Sequence, residues 1–238
     1  MKLFNDYDYE IEQSKLGINA NSVIDIFVDP IANQILQRMN NNAVELGEIC
    51  FIRQCIKTGD DATYVKKYSS PPGEPWKPTL RGRSISRYST LERNEYVKYG
   101  KWLARNWKND SFYKTEKIGV RETGNQIIAT LDTEYRYFLS SLYAIYPKLS
   151  DTNYDIRYLL GFLNSSLATY FIKTIALELT TGAFSKFRTN QLARLPVKKI
   201  DLEVENANNI CAFLINLVDR MLDLHKRTPA TPQEQEQL

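Results

Sequence analysis

The sequence has few cysteines and no long apolar run. Its three cysteines, Cys50, Cys55 and Cys211, are odd in number and sparse among 238 residues, which argues against a disulfide framework and for a reducing compartment. No run of about 18 apolar residues occurs, and the N-terminus MKLFNDYDYE becomes acidic where a signal peptide needs its apolar stretch. We therefore expect a cytoplasmic chain without a membrane span.

Several motifs that carry catalysis are also missing. The sequence lacks the glycine-rich cofactor loop and the polar-Pro-Pro-aromatic motif of methyltransferases that act on an exocyclic amine. It has no Asp-x-Lys or Glu-x-Lys pair to flank a metal-bound water, as common bacterial nucleases do. The lone histidine, His225, leaves a histidine-based triad unsupported, and Cys50 and Cys55 point to opposite faces of a predicted strand. We expect this chain to be no enzyme by itself and to hold no metal.

What the sequence does have is an uneven charge distribution. Residues 77–121 contain 12 Lys or Arg and 4 acidic residues, a net charge of +8, whereas the whole chain carries 31 − 28 = +3. Seven aromatic residues lie in the same window. Interleaved cations and rings suit a polyanion whose sugars and bases also need apolar contact. The alternative is an ordinary solvated face with its aromatic residues turned inward.

Hydrophobic spacing predicts a mixed α+β fold. Pro30 is expected to begin a short helix that ends near residues 40–42. Residues 46–56 and 63–65 are predicted to form a hairpin around a Thr-Gly-Asp-Asp turn. The proline-rich stretch 69–78 is predicted to be a loop that cannot enter a central strand. An antiparallel meander is expected from strands at 117–121, 126–131 and 138–145.

The C-terminal part has the three-and-four spacing of helices. Two helices are predicted near 156–163 and 167–175, with a break at 164–166, and a last one carries an apolar stripe over 204–224. The predicted organisation has four parts: a connecting segment (1–28), a recognition domain (29–200), a long docking or spacer helix (201–227) and a disordered tail (228–238).

Five segments, in this order, resemble a known family: KPTLRGRSISRY, WLARNW, KIGVRETGNQIIATLD, YLLGFLNSSLATYFI and LARLPV. The family is the TaqI-like C-terminal specificity domain. It supplies DNA target recognition in bifunctional type IIG restriction-modification enzymes and in related adenine-specific DNA methyltransferases of phage-defence systems. The segment RQCIKTGDDATYV resembles the entry hairpin of the family, so the resemblance covers roughly residues 46–200.

The resemblance implies an α+β domain with a mixed, largely antiparallel sheet and flanking helices, similar to type I specificity-subunit recognition domains and followed by a long helix. Its implied partners are duplex DNA and a methyltransferase or endonuclease domain, in cis or as a separate subunit. S-adenosylmethionine and magnesium (Mg) are implied only for those catalytic parts, and we expect no cofactor in this chain. The alternative is an assembly module of a defence complex that docks through its C-terminal helix.

Three groups of residues are candidates for contact with DNA. Arg81, Arg83 and Arg87 alternate along a predicted extended segment and would share one face as a phosphate track or a guanine reader. The alternative is that Arg81 and Arg87 pair with Glu74 or Glu92 and only bridge loops.

The second group surrounds a tight turn, whose tip could enter a groove: Arg121, Thr123 and Asn125. The third lies in a polar loop after a helix end: Thr181, Ser185, Lys186 and Arg188. The alternatives are a simple hairpin turn and a plain connector. Four large aromatic residues are assigned mainly to the core: Trp102, Trp107, Tyr158 and Phe171.

Overall fold

The computed structural model describes residues 30–91, 94–107, 109–148, 154–177, 186–200 and 205–226. The chain divides into two units after Arg38. Helix α1 (Pro30–Asn40) begins in the first unit, and Pro30 occupies its first position as predicted, where the fixed φ of proline suits a helix start. The predicted connecting segment, 1–28, and the predicted tail, 228–238, lie outside the described residues.

The second unit contains a central sheet of four antiparallel strands. Its strands, in spatial order, are β2 (Cys50–Gln54), β11 (Leu142–Pro147), β8 (Lys117–Arg121) and β9 (Ala129–Asp132). The first four residues of β8 are all buried, because this strand is covered on both faces. At Gly119 a side chain would meet the ring of Phe138, since a Cβ there would lie 3.1 Å from it.

A second four-stranded sheet packs near one face of the central sheet. It consists of β10 (Tyr137–Phe138), β4 (Trp76–Leu80), β7 (Glu95–Lys98) and β3 (Val65–Lys67), with one parallel pair, β10–β4. Buried residues of both sheets, including Leu142, Ala144, Phe138 and Val97, form one apolar cluster. Two small ribbons complete the strands: β1 (Ala43–Glu45) with β12 (Pro196–Lys198), and β5 (Ile85–Ser86) with β6 (Ser89–Thr90).

Helices cover the other face of the central sheet. They are α2 (Leu46–Ile49), α4 (Ile156–Leu163) and α6 (Thr189–Ala193); α5 (Ser166–Leu177) packs on α4 and α6, and α3 (Asp61–Tyr64) precedes β3. Helix α4 packs against β8 and β9, and α6 packs against β2. The predicted break between α4 and α5 is confirmed: buried Asn164 ends α4, and its side chain bonds both the N–H and the carbonyl of Ala129.

The long C-terminal helix is confirmed as α7 (Glu205–Lys226). It packs against α4, where Val218 is buried, while Ile210 and Phe213 each keep 62% of their surface exposed. No helix among the described residues is long and apolar enough to cross a membrane. The expected α+β class, with largely antiparallel sheets, flanking helices and a long last helix, is therefore correct.

The predicted hairpin of residues 46–56 and 63–65 is wrong. Strand β2 pairs with β11 and β3 pairs with β7, so the two segments belong to different sheets. Asp60 lies at the N-cap of α3, where its Oδ1 accepts a hydrogen bond from the Thr63 N–H at 3.2 Å. The polar residues of the expected turn begin a helix because their short side chains satisfy free N–H groups.

Two other strand predictions need correction. The meander is antiparallel as predicted, but β8 lies between β9 and β11 because β10 leaves the central sheet to pair with β4. The loop predicted at 69–78 ends earlier, since β4 includes Pro78. Strand β4 pairs only with β7 at Pro78, and its pairing with β10 starts at Thr79, so the missing N–H of proline faces no second strand.

Candidate nucleic-acid interface

The turn between β8 and β9 joins the segment that leads into α6. Thr123 and Lys186 form an isolated antiparallel bridge. Beside it, the N–H of Phe187 donates to the Glu122 carbonyl at 2.9 Å. Thr123 of the second predicted group and Lys186 of the third are distant in the chain, and the fold brings them together here.

Buried side chains hold this junction in place. The Tyr143 hydroxyl donates to the Phe187 carbonyl at 2.7 Å and lies 3.3 Å from Glu122 Oε1. Burial, and next the Glu122 carboxylate, raises the pKa of Tyr143, so its hydroxyl stays protonated and remains a donor. Glu122 Oε1 also lies 2.9 Å from Lys186 Nζ. The exposed turn is therefore supported by a partly buried hydrogen-bond network.

Ser141 connects the same turn to the first group of candidates. Its carbonyl accepts a hydrogen bond from the Glu122 N–H at 3.0 Å, and its Oγ accepts one from the Gly82 N–H at 2.9 Å. A Cβ at Gly82 would lie 3.2 Å from the Ser141 carbonyl oxygen, so the backbones approach closely at this point. Arg83, next to Gly82, is thus brought near the turn.

The expected single face of Arg81, Arg83 and Arg87 is wrong. Residues Gly82–Ser84 form a 3-10 turn, which breaks the alternation of an extended strand. Arg87 lies at the two-residue tip between β5 and β6, where its guanidinium donates to the Asn164 carbonyl. Arg87 therefore has a different partner from Arg81 and Arg83, and the three guanidiniums do not form one track.

Glu95 is shared by two of these arginines. This carboxylate is buried, and it lies 3.0 Å from Arg81 Nε and 2.8 Å from Arg83 Nη2. Arg81 also reaches Asp61 at 3.2 Å, so it bridges elements, although its acidic partners are not those weighed from the sequence. The Arg83 side chain is 58% exposed. Arg81 is therefore a structural residue, whereas Arg83 faces solvent.

Arg121 is also turned inward. Its guanidinium donates to the Ile85 carbonyl, and its Nε is buried without a hydrogen-bond partner among the described residues. Burial lowers the pKa of Arg121. The side chain connects β8 to the β5–β6 ribbon. It is therefore assigned a structural role and not a phosphate contact.

The remaining candidates are on the surface. Thr123 and Asn125 in the turn, and Lys186 and Arg188 in the loop before α6, are all exposed. The Arg188 N–H donates to Gln191 Oε1 at 2.9 Å, which fixes the backbone at the start of α6 and leaves the guanidinium outside this bond. Thr181 and Ser185 lie outside the described residues. We call the exposed set the turn–loop surface: Arg83, Thr123, Asn125, Lys186 and Arg188.

Much of the basic window is engaged inside the molecule. Lys117 is fully buried against Asp132, with Nζ and Oδ2 2.7 Å apart. Arg105 donates to the Cys55 carbonyl from Nε at 3.1 Å and from Nη2 at 2.9 Å. The charge surplus of residues 77–121 is thus not one continuous cationic face, because some of its cations are engaged with partners inside the molecule.

The aromatic assignments are correct for three of four residues. Tyr158 and Phe171 are buried, and Trp107 packs against the apolar cluster. Trp102 is different, since 46% of its surface is exposed and Lys98 Nζ lies 5.4 Å from its ring.

A second cationic surface was missed in the sequence. Phe51 and Arg53 lie on the same face of edge strand β2, and Lys148 follows the paired strand β11. The alternation of Phe51 and Arg53 along a predicted strand could have indicated that they share one face. Lys148 lies beside them only because β2 pairs with β11, which the sequence does not show. This surface lines an open pocket of about 480 Å³.

The described residues contain no group of three or more side chains suited to hold a metal ion. Cys50 and Cys55 are both buried, and burial raises the pKa of Cys55 to about 12. Cys55 is therefore a protonated thiol and neither a nucleophile nor a zinc ligand.

Comparison with known proteins identifies the class. Residues 77–197, just over half of the chain, match the TaqI-like C-terminal specificity domain. The chain belongs to this family, as the five segments had indicated. It is a specificity domain of the kind found in restriction-modification systems, in which catalysis belongs to partner domains or subunits.

Two solved structures resemble this chain over part of their length. A chain in a structure of the type I R-M system has 12% sequence identity and a TM-score of 0.46, with 87% of this chain and 48% of that chain covered. The HsdS subunit from Thermoanaerobacter tengcongensis has 14% identity and a TM-score of 0.42, with coverages of 86% and 48%. This chain thus spans about half the length of these structures. No curated protein matches its sequence.

Proposed function

We propose that this chain recognises a specific sequence in duplex DNA for a restriction-modification or phage-defence methyltransferase or endonuclease. The observation that carries the proposal is the turn–loop surface, where residues from three distant segments converge on a buried support. Membership of the specificity-domain family supports the same function.

The turn–loop surface has the two kinds of side chain that recognition needs. Lys186, Arg188 and Arg83 provide positive charge for phosphates, which gives affinity without sequence information. Thr123 and Asn125 present a hydroxyl and an amide that can reach base edges in a groove. On this proposal, the residues for phosphate contacts and those for base contacts lie on the same surface.

Arg83 would exchange one anionic partner for another on meeting DNA. Its side chain is 58% exposed and its Nη2 lies 2.8 Å from Glu95, so a phosphate would compete with this buried carboxylate for the guanidinium. Arg81 Nε would remain 3.0 Å from Glu95 as a positive neighbour.

The catalytic chemistry belongs to a partner. We infer a site-specific adenine methyltransferase or type II endonuclease, joined in cis or as a separate subunit, which would bind S-adenosylmethionine and magnesium. This chain would need no cofactor, and it would act in the cytoplasm, where the DNA is accessible.

Selection from duplexes with a randomised centre tests the proposal. The chain, with its catalytic partner present where one is found, should enrich one sequence pattern over successive rounds. The double variant Lys186→Ala/Arg188→Ala should lose most of the bound fraction. Lys226→Ala removes an exposed cation at the end of α7 and serves as the matched control, with unchanged enrichment. Failure to enrich any pattern would contradict sequence recognition.

A second candidate function is docking to a protein partner through α7. The exposed Ile210 and Phe213 favour it, as does an apolar cleft of about 610 Å³ between α4, α5 and α7. Apolar docking responds weakly to salt, whereas phosphate binding weakens steeply as salt rises. Binding of the partner that resists high salt and requires Phe213 would support docking.

A further inference from the structure

A cation–aromatic cluster lies at the open edge of the central sheet. The ring of Phe51 has Arg53 Cζ 5.3 Å and Lys148 Nζ 5.6 Å from its centroid. Arg53 Cζ is also 5.2 Å from the Trp107 ring, and Tyr146 lies 5.3 Å from Phe51. Two positive charges and a row of rings therefore meet at one place.

This cluster opens into the pocket of about 480 Å³. The pocket is lined by Phe51, Arg53 and Lys148 together with Thr189 and Asn190 of α6, and no acidic residue lines it among the described part of the chain. Its volume lies within the range of about 300–1,000 Å³ that is usual for small-ligand sites. Glu48 is a nearby exposed acid on α2, outside the lining.

The arrangement is suited to an anionic ligand. Phe51 is 39% exposed although it lies in a strand, and two cations are held beside it without a carboxylate in the lining. Lys148 is oriented by a hydrogen bond to the Gly47 carbonyl at 2.8 Å. An aromatic face flanked by cations is the combination that binds a base and its phosphate.

We propose that this pocket binds an unpaired nucleotide of a nucleic acid strand, with the base against Phe51 and the phosphate between Arg53 and Lys148. Thr189 and Asn190 follow Arg188 directly, so the pocket adjoins the turn–loop surface along α6. A duplex held by that surface could place an unpaired nucleotide here. The site is nevertheless separate, because it shares none of the five residues of the turn–loop surface.

Fluorescence anisotropy with three labelled probes tests the assignment: a single-stranded oligothymidylate, a blunt duplex, and the same duplex with a single-stranded extension. The extended duplex should bind more tightly than the blunt one. Phe51→Leu should remove this gain, a loss of about fivefold or more, because leucine keeps the apolar contact but not the stacking face. Lys148→Met should do the same through lost charge.

Trp102→Leu is the matched control, since Trp102 is another exposed ring with a lysine beside it. It should keep the gain, and thermal melts should show that all variants fold. Lys186→Ala/Arg188→Ala should weaken blunt duplex binding and still show the gain, which separates this site from the proposed recognition surface.

Three results would overturn the assignment. One is equal binding of blunt and extended duplexes by the wild type. Another is an unchanged gain in both Phe51→Leu and Lys148→Met. The third is displacement of the oligothymidylate by adenosine monophosphate at a lower nucleotide concentration, which would make the pocket a free-nucleotide site.

Discussion

Lys117 and Asp132 form an ion pair in which neither side chain reaches solvent, with Nζ and Oδ2 2.7 Å apart. Lys117 Nζ also donates to the Tyr113 carbonyl at 2.9 Å, and Arg136 Nε reaches the other Asp132 oxygen at 3.0 Å. Every charge in this cluster has a partner, as buried charges require. A lysine from the most basic part of the sequence thus holds β8 to β9.

Lys117→Met should destabilise the fold by about 3–5 kcal/mol, because it leaves part of a buried carboxylate uncompensated. Lys114→Met is the control, since Lys114 pairs with Asp110 at the surface, 3.2 Å away, and should cost at most about 1 kcal/mol. Urea unfolding measures both free energies. Equal values would show that the buried pair carries no special stability.

The two arginines on Glu95 should differ in their effect on DNA binding. Arg81→Ala removes contacts to both Glu95 and Asp61 and should lower the free energy of unfolding by about 1–3 kcal/mol. Arg83→Ala removes the hydrogen bond from Arg83 Nη2 to buried Glu95 and should also cost about 1–3 kcal/mol, but of the two variants only this one should weaken duplex binding. An Arg81→Ala variant that weakens duplex binding as much as Arg83→Ala would contradict their assigned roles.

Asp155 should make stability depend on acid pH. It caps α4 by accepting from the Arg157 N–H at 2.8 Å, and its side-chain bond to Arg157 lowers its pKa from 3.8. The folded state binds a proton at the Asp155 carboxylate less tightly than the unfolded chain does. The contribution of Asp155 to the free energy of unfolding is therefore complete above pH 3.8 and is lost as the pH falls through the lower pKa of the folded state. Asp155→Asn should therefore reduce stability at pH 7 and make little difference near pH 2. An equal loss at both pH values would exclude this linkage.

Gly161 is required where α4 meets α7. A Cβ at this position would lie 2.9 Å from Val218 Cγ2, and valine has no flexible end that could move away. Gly161→Ala should destabilise by about 1–3 kcal/mol from overpacking, although alanine favours a helix by about 1 kcal/mol. Limited proteolysis should then cut α7 faster than in the wild type. A more stable variant would mean that the two helices adjust freely.

Elements with strong local patterns were predictable from the sequence. The three-and-four spacing located α4, α5 and α7, and the β-branched residues of 117–121, followed by a Thr-Gly-Asn turn, located β8. Local spacing suffices there because each element buries a continuous face of its own. Pairing was less predictable, since β2 joins β11 across about ninety residues, a contact with no local signature.

The site was predictable only in part for a related reason. The composition shows that Lys117, Arg105 and Arg121 are cations. Whether each side chain points into the protein or towards solvent depends on partners that are distant in the sequence. The turn at Thr123 and the loop at Lys186 were each recognised by their polar residues. The contact between this turn and this loop could not be predicted without the strand pairing of the sheet. The same holds for the pocket that Phe51 and Lys148 line.

A salt titration of blunt duplex binding tests DNA recognition by the turn–loop surface most directly. Three phosphate contacts, from Arg83, Lys186 and Arg188, predict that log affinity falls linearly with log salt, with a slope of about −2.7. The Lys186→Ala/Arg188→Ala variant should reduce this slope to about −0.9. An affinity that stays flat with salt, or an equal slope in the variant, would contradict the account.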